Sequence, residues 1–223
     1  MPSTGIASLD KLLGEDGYPD RSAVLLVGPP GVGKEALGYW FTSSALAQGD
    51  FSFYVTKRSV REVLKDAGGF GVDYRERVPL WMAREGGQIK FNINDLPGLS
   101  FSIKETLKEN ANRRIRIVTD VLSSLLMLNP PETIYRFLTQ LFEEAKHYDL
   151  VLLATIEEGM HPPQVLSAMQ ELFDGVLELK FYEEGLTALP LLRIKKMIGI
   201  PPRTGYFSFV FSRNGMELSA YGK

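Results

Sequence analysis

The residues whose types and spacing promise chemistry are Gly28, Gly31, Gly33 and Lys34, set in the stretch AVLLVGPPGVGKEAL from Ala23 to Leu37. They supply Gly-x-x-x-x-Gly-Lys with one extra glycine. Successive backbone N–H groups can curl around phosphate oxygens only where no Cβ intrudes, and a lysine closing that curl adds a point charge for the terminal phosphates. An apolar run precedes the turn and a helical pattern follows it, so the stretch reads as strand, loop and helix. The helix would aim its positive N-terminal end at the same anion. The candidate nucleotide-binding set is Gly28, Pro29, Pro30, Gly31, Val32, Gly33, Lys34, Glu35 and Ala36, and the ligand implied by the loop is a nucleotide.

The residue after the lysine departs from this pattern. A Ser or Thr there normally offers magnesium a hydroxyl, whereas this chain has Glu35. A carboxylate binds magnesium in principle, but it brings negative charge close to a triphosphate, and in an empty site it could pair with Lys34 instead. A second carboxylate, Asp120, ends the apolar run IRIVTD and is placed to hold magnesium through its water shell. It could equally cap a turn. Magnesium is therefore left open as a cofactor.

These residues need a framework, and the rest of the chain provides one. Its 223 residues are 44% hydrophobic, enough for one substantial α/β core, and residues 1–223 read as a single domain. A net charge of −2 gives no global attraction for nucleic acid or acidic membranes. Arg113, Arg114 and Arg116 could form a local basic patch, yet charged strand edges commonly serve to prevent aggregation, and nucleic acid is disfavoured as a partner. The absence of cysteine excludes disulfides, thiolate metal sites and cysteine nucleophiles. His147 and His161 lack metal-ligand spacing. The opening residues lack a signal-peptide pattern and no apolar run is long enough to span a bilayer, so a cytoplasmic protein without a membrane span is expected.

Strands are expected at Ala23–Val27, Phe51–Thr56, Val78–Met82, Ile115–Asp120 and Leu150–Thr155, alternating with helical patterns, which specifies a mostly parallel sheet flanked by helices. Ser8 is expected to cap a short first helix, and Ser123-Ser124 to break the chain after Asp120. Residues 83–101 are the least legible, with helical spacing resuming at Ile103. Beyond Gly175 the pattern changes to strands and turns, and Asn214-Gly215 is the clearest hairpin signal. C-terminal antiparallel strands are expected.

The opening STGIASLDKLLG, the loop GPPGVGK, the pair RIVTDVLSSL and DGVLEL, and the tail LLRIKKMIG together resemble the KaiC-like branch of the RecA superfamily of P-loop ATPases, whose nearest members in pattern are largely archaeal. The resemblance covers nearly the whole chain apart from residues 83–101. It implies a RecA-like core and, in the family, a ring of subunits with ATP at their interfaces, so a homo-oligomer is among the expected partners.

The resemblance also implies catalytic residues that this chain lacks. Paired glutamates, one of which activates water, are expected after FSFYVT, where Lys57 and Arg58 stand. Neither accepts a proton near neutral pH. A Lys-x-Arg-Gly pattern reaching a neighbour's γ-phosphate is implied near the C-terminus; Lys196 and Gly199 match it, but Ile198 replaces the arginine. Loss of such an arginine costs on the order of 10³ to 10⁵ in rate. Lys57 and Arg58 either offset Glu35 or contact phosphate, or simply begin the next helix in solvent. Glu157 and Glu158, after a strand end, either replace the missing base or lie in a solvated loop. The sequence thus points to a nucleotide-binding regulator or adaptor with impaired or absent hydrolysis and an unknown protein partner. An active ATPase with a substitute base and a scaffold with an empty loop are the alternatives.

Overall fold

The computed structural model describes residues 1–14, 17–74, 80–82, 89–90, 92–201, 205–212 and 215–221. One ten-stranded sheet organises them. Its parallel part comprises β1 (Ala23–Gly28), β2 (Phe51–Thr56), β3 (Leu80–Met82), β4 (Ile89–Lys90), β5 (Ile115–Thr119), β6 (Leu150–Glu157) and β7 (Gly175–Glu184). Antiparallel β8 (Thr187–Met197), β9 (Tyr206–Ser212) and β10 (Gly215–Tyr221) extend it beyond β7. The expected change of pattern after Gly175 is this switch. Residues 78 and 79 of the expected third strand, and Asn214 of the expected hairpin turn, lie outside the described residues.

The helices are α1 (Ala7–Leu12), α2 (Lys34–Gln48), α3 (Val60–Gly69), α4 (Leu96–Glu109), α5 (Leu122–Leu128), α6 (Pro131–Ala145) and α7 (Pro163–Leu172). Alternate residues of the central strands feed two separate cores. Val24 and Leu26 join the side covered by α1, α2 and α3, whereas Ala23, Leu25 and Val27 join the side covered by α4 to α7. Both faces being covered, β1 is buried along its whole length, and that is why it reads as a continuous apolar run.

Three expectations are corrected at element ends. Helix α4 starts at Leu96, not at Ile103: the Asp95 side chain accepts a hydrogen bond from the Gly98 N–H at 2.9 Å, with Pro97 in the first turn. Helix α5 runs straight through Ser123-Ser124 instead of breaking there. Ser8 does not cap α1, whose N-cap is Ile6. Its hydroxyl instead donates to the Met216 carbonyl at 2.9 Å and accepts from the Leu218 N–H at 3.3 Å, covering backbone groups on the outer edge of β10.

The strand order runs β10-β9-β8-β7-β1-β6-β5-β2-β3-β4. The chain leaves β1 through α2 to reach β2, three places away, while β7 takes the other side of β1. Such a reversal opens a crevice at the carboxyl ends of the strands. Gly28, Asp120 and Glu157 all stand at that end, which is where the site is built.

Candidate functional site

The loop after β1 is held by glycines for identifiable reasons. Gly31 and Gly33 adopt φ of 78° and 95°, the left-handed region that side chains avoid. A Cβ on Gly33 would also lie 2.4 Å from the ring of Phe211 on β9. The Phe211 ring in turn meets Phe70 and Phe209 edge-on, at 4.9 and 5.4 Å between centroids. The antiparallel extension therefore seats one wall of the loop.

Gly33 is the N-cap of α2 and offers no side-chain cap, so the first amides of this fifteen-residue helix open directly onto the loop. Glu35, half-buried in that first turn, complements the helix dipole. Lys34 is fully buried. Its Nζ donates to the Pro29 carbonyl at 2.7 Å and to Glu157 Oε2 at 3.0 Å. The lysine's carboxylate partner is therefore Glu157, and the pairing of Lys34 with Glu35 is corrected. Glu157 is the last residue of β6, opposite Gly28 in the parallel register, and not part of a solvated loop. Its N–H donates to Ser123 Oγ at 2.8 Å, and the Glu158 N–H donates to the Gly28 carbonyl at 2.9 Å. The Glu158 side chain is exposed.

Asp120 follows the end of β5 directly. Its Oδ2 accepts from the Thr56 hydroxyl at 2.8 Å, and Thr56 Oγ1 accepts from the Arg58 N–H at 3.1 Å. Asp120 Oδ1 is buried without a hydrogen-bond partner. Burial pushes this carboxyl up to about 6, against the lowering pull of the Thr56 hydroxyl and the Arg58 charge; Glu35 adds a further upward push and Lys57 a downward one. The buried Tyr54 hydroxyl, also unpartnered, titrates well above its ordinary range because of burial first and the Asp120 charge second.

These atoms suit a hard cation in chemistry: an orphaned carboxylate oxygen, and a second carboxylate on Glu35 whose charge acts on it. Among the described residues no group of three or more His, Cys, Asp or Glu could hold a metal. Phosphate oxygens and water would have to complete a magnesium shell here, so the donor set fits an ion that arrives with a polyphosphate.

Lys57 and Arg58 part company. The Arg58 guanidinium donates to Asp66 at 2.8 Å and to the Tyr39 hydroxyl, which itself donates to Asp66 at 2.7 Å. Arg58 therefore ties α3 to α2 and does not simply begin the next helix in solvent. Lys57 is exposed beside Asp120 and remains available. Nor do the three arginines form a basic patch. Arg116 is fully buried, donating to Asp50 at 2.8 Å through Nε, to Gln48 and to the Ser3 carbonyl. Arg114 pairs with Asp20 and Asp149, and Arg113 with Asn110.

A family model described as the ATPase KaiC matches residues 2–221. The chain belongs to the KaiC family. That family is one of nucleotide-binding P-loop proteins with a RecA-like fold, and the loop after β1 is its P-loop. The circadian clock protein KaiC2 of Synechocystis is 23% identical over 97% of this chain and 38% of its own length. A UPF0273 protein of Methanopyrus kandleri is 40% identical over 33% of this chain and 29% of its own length. A UPF0273 protein of Pyrobaculum aerophilum is 29% identical over 56% and 49%. The chain thus spans between about a third and a half of the curated relatives it matches. The crystal structure of a KaiC-like protein from Pyrococcus horikoshii superposes with a TM-score of 0.82 over 98% of both chains at 20% identity, which establishes the common fold.

Within this KaiC-family chain Lys196 packs against the end of α7. Its Nζ donates to the carbonyls of Glu171 and Phe173 at 2.9 and 2.7 Å, satisfying the C-terminal end of α7. Its backbone pairs with that of Val176 on β7, itself opposite Leu25. Ile198 is 56% exposed close by. Sequence reasoning missed the contacts that Glu157 makes with Lys34 and Ser123, and that Phe211 makes beside Gly33. Only the strand register brings these residues to the loop, and no local signal carries it. No helix among the described residues is long and apolar enough to cross a membrane.

Proposed function

We propose that this KaiC-family chain binds ATP in its P-loop with little or no hydrolysis, and acts through that binding as a regulator or adaptor for a protein partner. One observation carries the reading: the phosphate cradle is retained while the carboxylate at its mouth, Glu157, is committed to Lys34. Gly31, Gly33 and the open first turn of α2 would hold the phosphates, and Lys34 would neutralise them. Asp120, with Glu35, would hold magnesium, which when bound would neutralise phosphate charge. Water activation is what fails. Lys57 and Arg58 stand where a glutamate pair is expected, and Arg58 is spent on Asp66 and Tyr39.

Isothermal titration of ATP, with magnesium or with EDTA, tests binding, and phosphate release tests turnover. Wild type is expected to bind and to release phosphate at the no-enzyme rate; a Glu35→Thr variant should bind more tightly in magnesium. Absence of binding by both proteins would leave the closed-scaffold reading, with Lys34 kept on Glu157. Magnesium-dependent phosphate release by wild type that Glu158→Gln abolishes would establish the substitute-base ATPase instead.

A further inference from the structure

We propose that Glu157 occupies the electrostatic place of phosphate in the free protein and so sets what the P-loop accepts: a polyphosphate enters by exchanging with the Glu157 carboxylate on Lys34, and enters best when it brings a divalent cation. The ligand class is taken from the nucleotide-binding reading above; the pair itself is independent of it.

A fully buried ammonium is costly unless paired, and Lys34 meets that cost with a carbonyl and one carboxylate. The backbone that carries the Glu157 carboxylate is fixed by the parallel register with Gly28, by its own N–H on Ser123 of α5, and by the Glu158 N–H on the Gly28 carbonyl. Two separate elements, α2 and β6, thus present the two halves of the pair. When a phosphate oxygen takes over Lys34, the Glu157 carboxylate loses its partner while β6 still holds its backbone opposite Gly28, near an incoming anion. A metal-free triphosphate meets that repulsion in full. A triphosphate carrying magnesium meets less of it, because the cation supplies the charge that Lys34 no longer gives to Glu157.

The test titrates ATP into wild type, Glu157→Gln and Glu158→Gln, each in EDTA and in magnesium. Alongside, ligand-free proteins are treated with an amine-acylating reagent, and modification of Lys34 is followed by peptide mass spectrometry. Removing the Glu157 charge should tighten ATP by about 10- to 100-fold in EDTA, the range for one charge-assisted bond, and by less in magnesium. Glu158→Gln, which removes the neighbouring exposed charge, should change affinity by less than about threefold. Lys34 should be acylated faster in Glu157→Gln than in wild type. Equal tightening by both variants, or an EDTA gain no larger than the magnesium gain, would overturn the exchange. If no protein binds ATP, the nucleotide reading fails and acylation alone decides: faster labelling of Lys34 supports the latch, and unchanged labelling removes it. Should Glu157→Gln fail to fold, Glu157→Asp keeps the charge but withdraws it by one methylene, and the same direction is expected at smaller size.

Discussion

A buried carboxyl tests its surroundings through pH. Asp120 titrates at about 6 in the fold and near 3.8 in an unfolded chain, so the native state holds the proton more tightly. A carboxyl raised in this way contributes its full stability below about pH 4 and loses it as pH rises through about 6. The gap corresponds to roughly 3 kcal/mol. Thermal melts of EDTA-treated protein between pH 4 and 7 should therefore show wild type losing stability relative to Asp120→Asn, which stays neutral throughout. Parallel curves would mean that the unpartnered Oδ1 is solvated after all. If this carboxylate holds a cation, as proposed above, the destabilisation at neutral pH is a cost that a bound ion would relieve.

Strands and helices set these atoms at working distances, and the contact of β9 with the P-loop is the least expected of their arrangements. Gly33→Ala asks an L-residue to adopt a positive φ, at about 1–2 kcal/mol, and pushes a methyl into Phe211, at about 1–3 kcal/mol more. Phe211→Ala should recover the second part and leave the first. Urea denaturation of the two single variants and the double variant should give a coupling above about 1 kcal/mol, whereas additive losses would show that the ring does not seat the loop. Sequence patterns revealed β1, its loop and α2 because glycine spacing and a buried strand are local properties. They also revealed the switch to antiparallel strands. What they concealed depended on partners distant in the chain. Ser8 looked like a cap until β10 claimed its hydroxyl, and Lys34 found Glu157 only through the pairing of β1 with β6. Helical spacing is legible only from Ile103, because the start of α4 rests on Asp95 as a cap that makes Pro97 a first-turn residue.

Across the whole molecule, Arg116 joins the pieces. From β5 it reaches Asp50 and Gln48 at the end of α2, the Ser3 carbonyl in the opening segment and the face of Phe41, 5.0 Å away. Arg116→Ala strands the partly buried Asp50 carboxylate and empties the space over Phe41, and should cost about 3 kcal/mol of unfolding free energy. Arg116→Met, which refills the space without a charge, should lose no less if Asp50 is the decisive partner; full recovery by methionine would show that packing alone matters. The opening segment anchored in this way continues into α1, whose Ser8 sits on β10. A sheet's outermost strand is where another chain can add itself by backbone pairing, copy after copy, into a fibre. On this molecule the Met216 carbonyl and the Leu218 N–H are already taken by a residue from the opposite end of the chain, so any strand seeking to extend the sheet there would first have to lift α1 away.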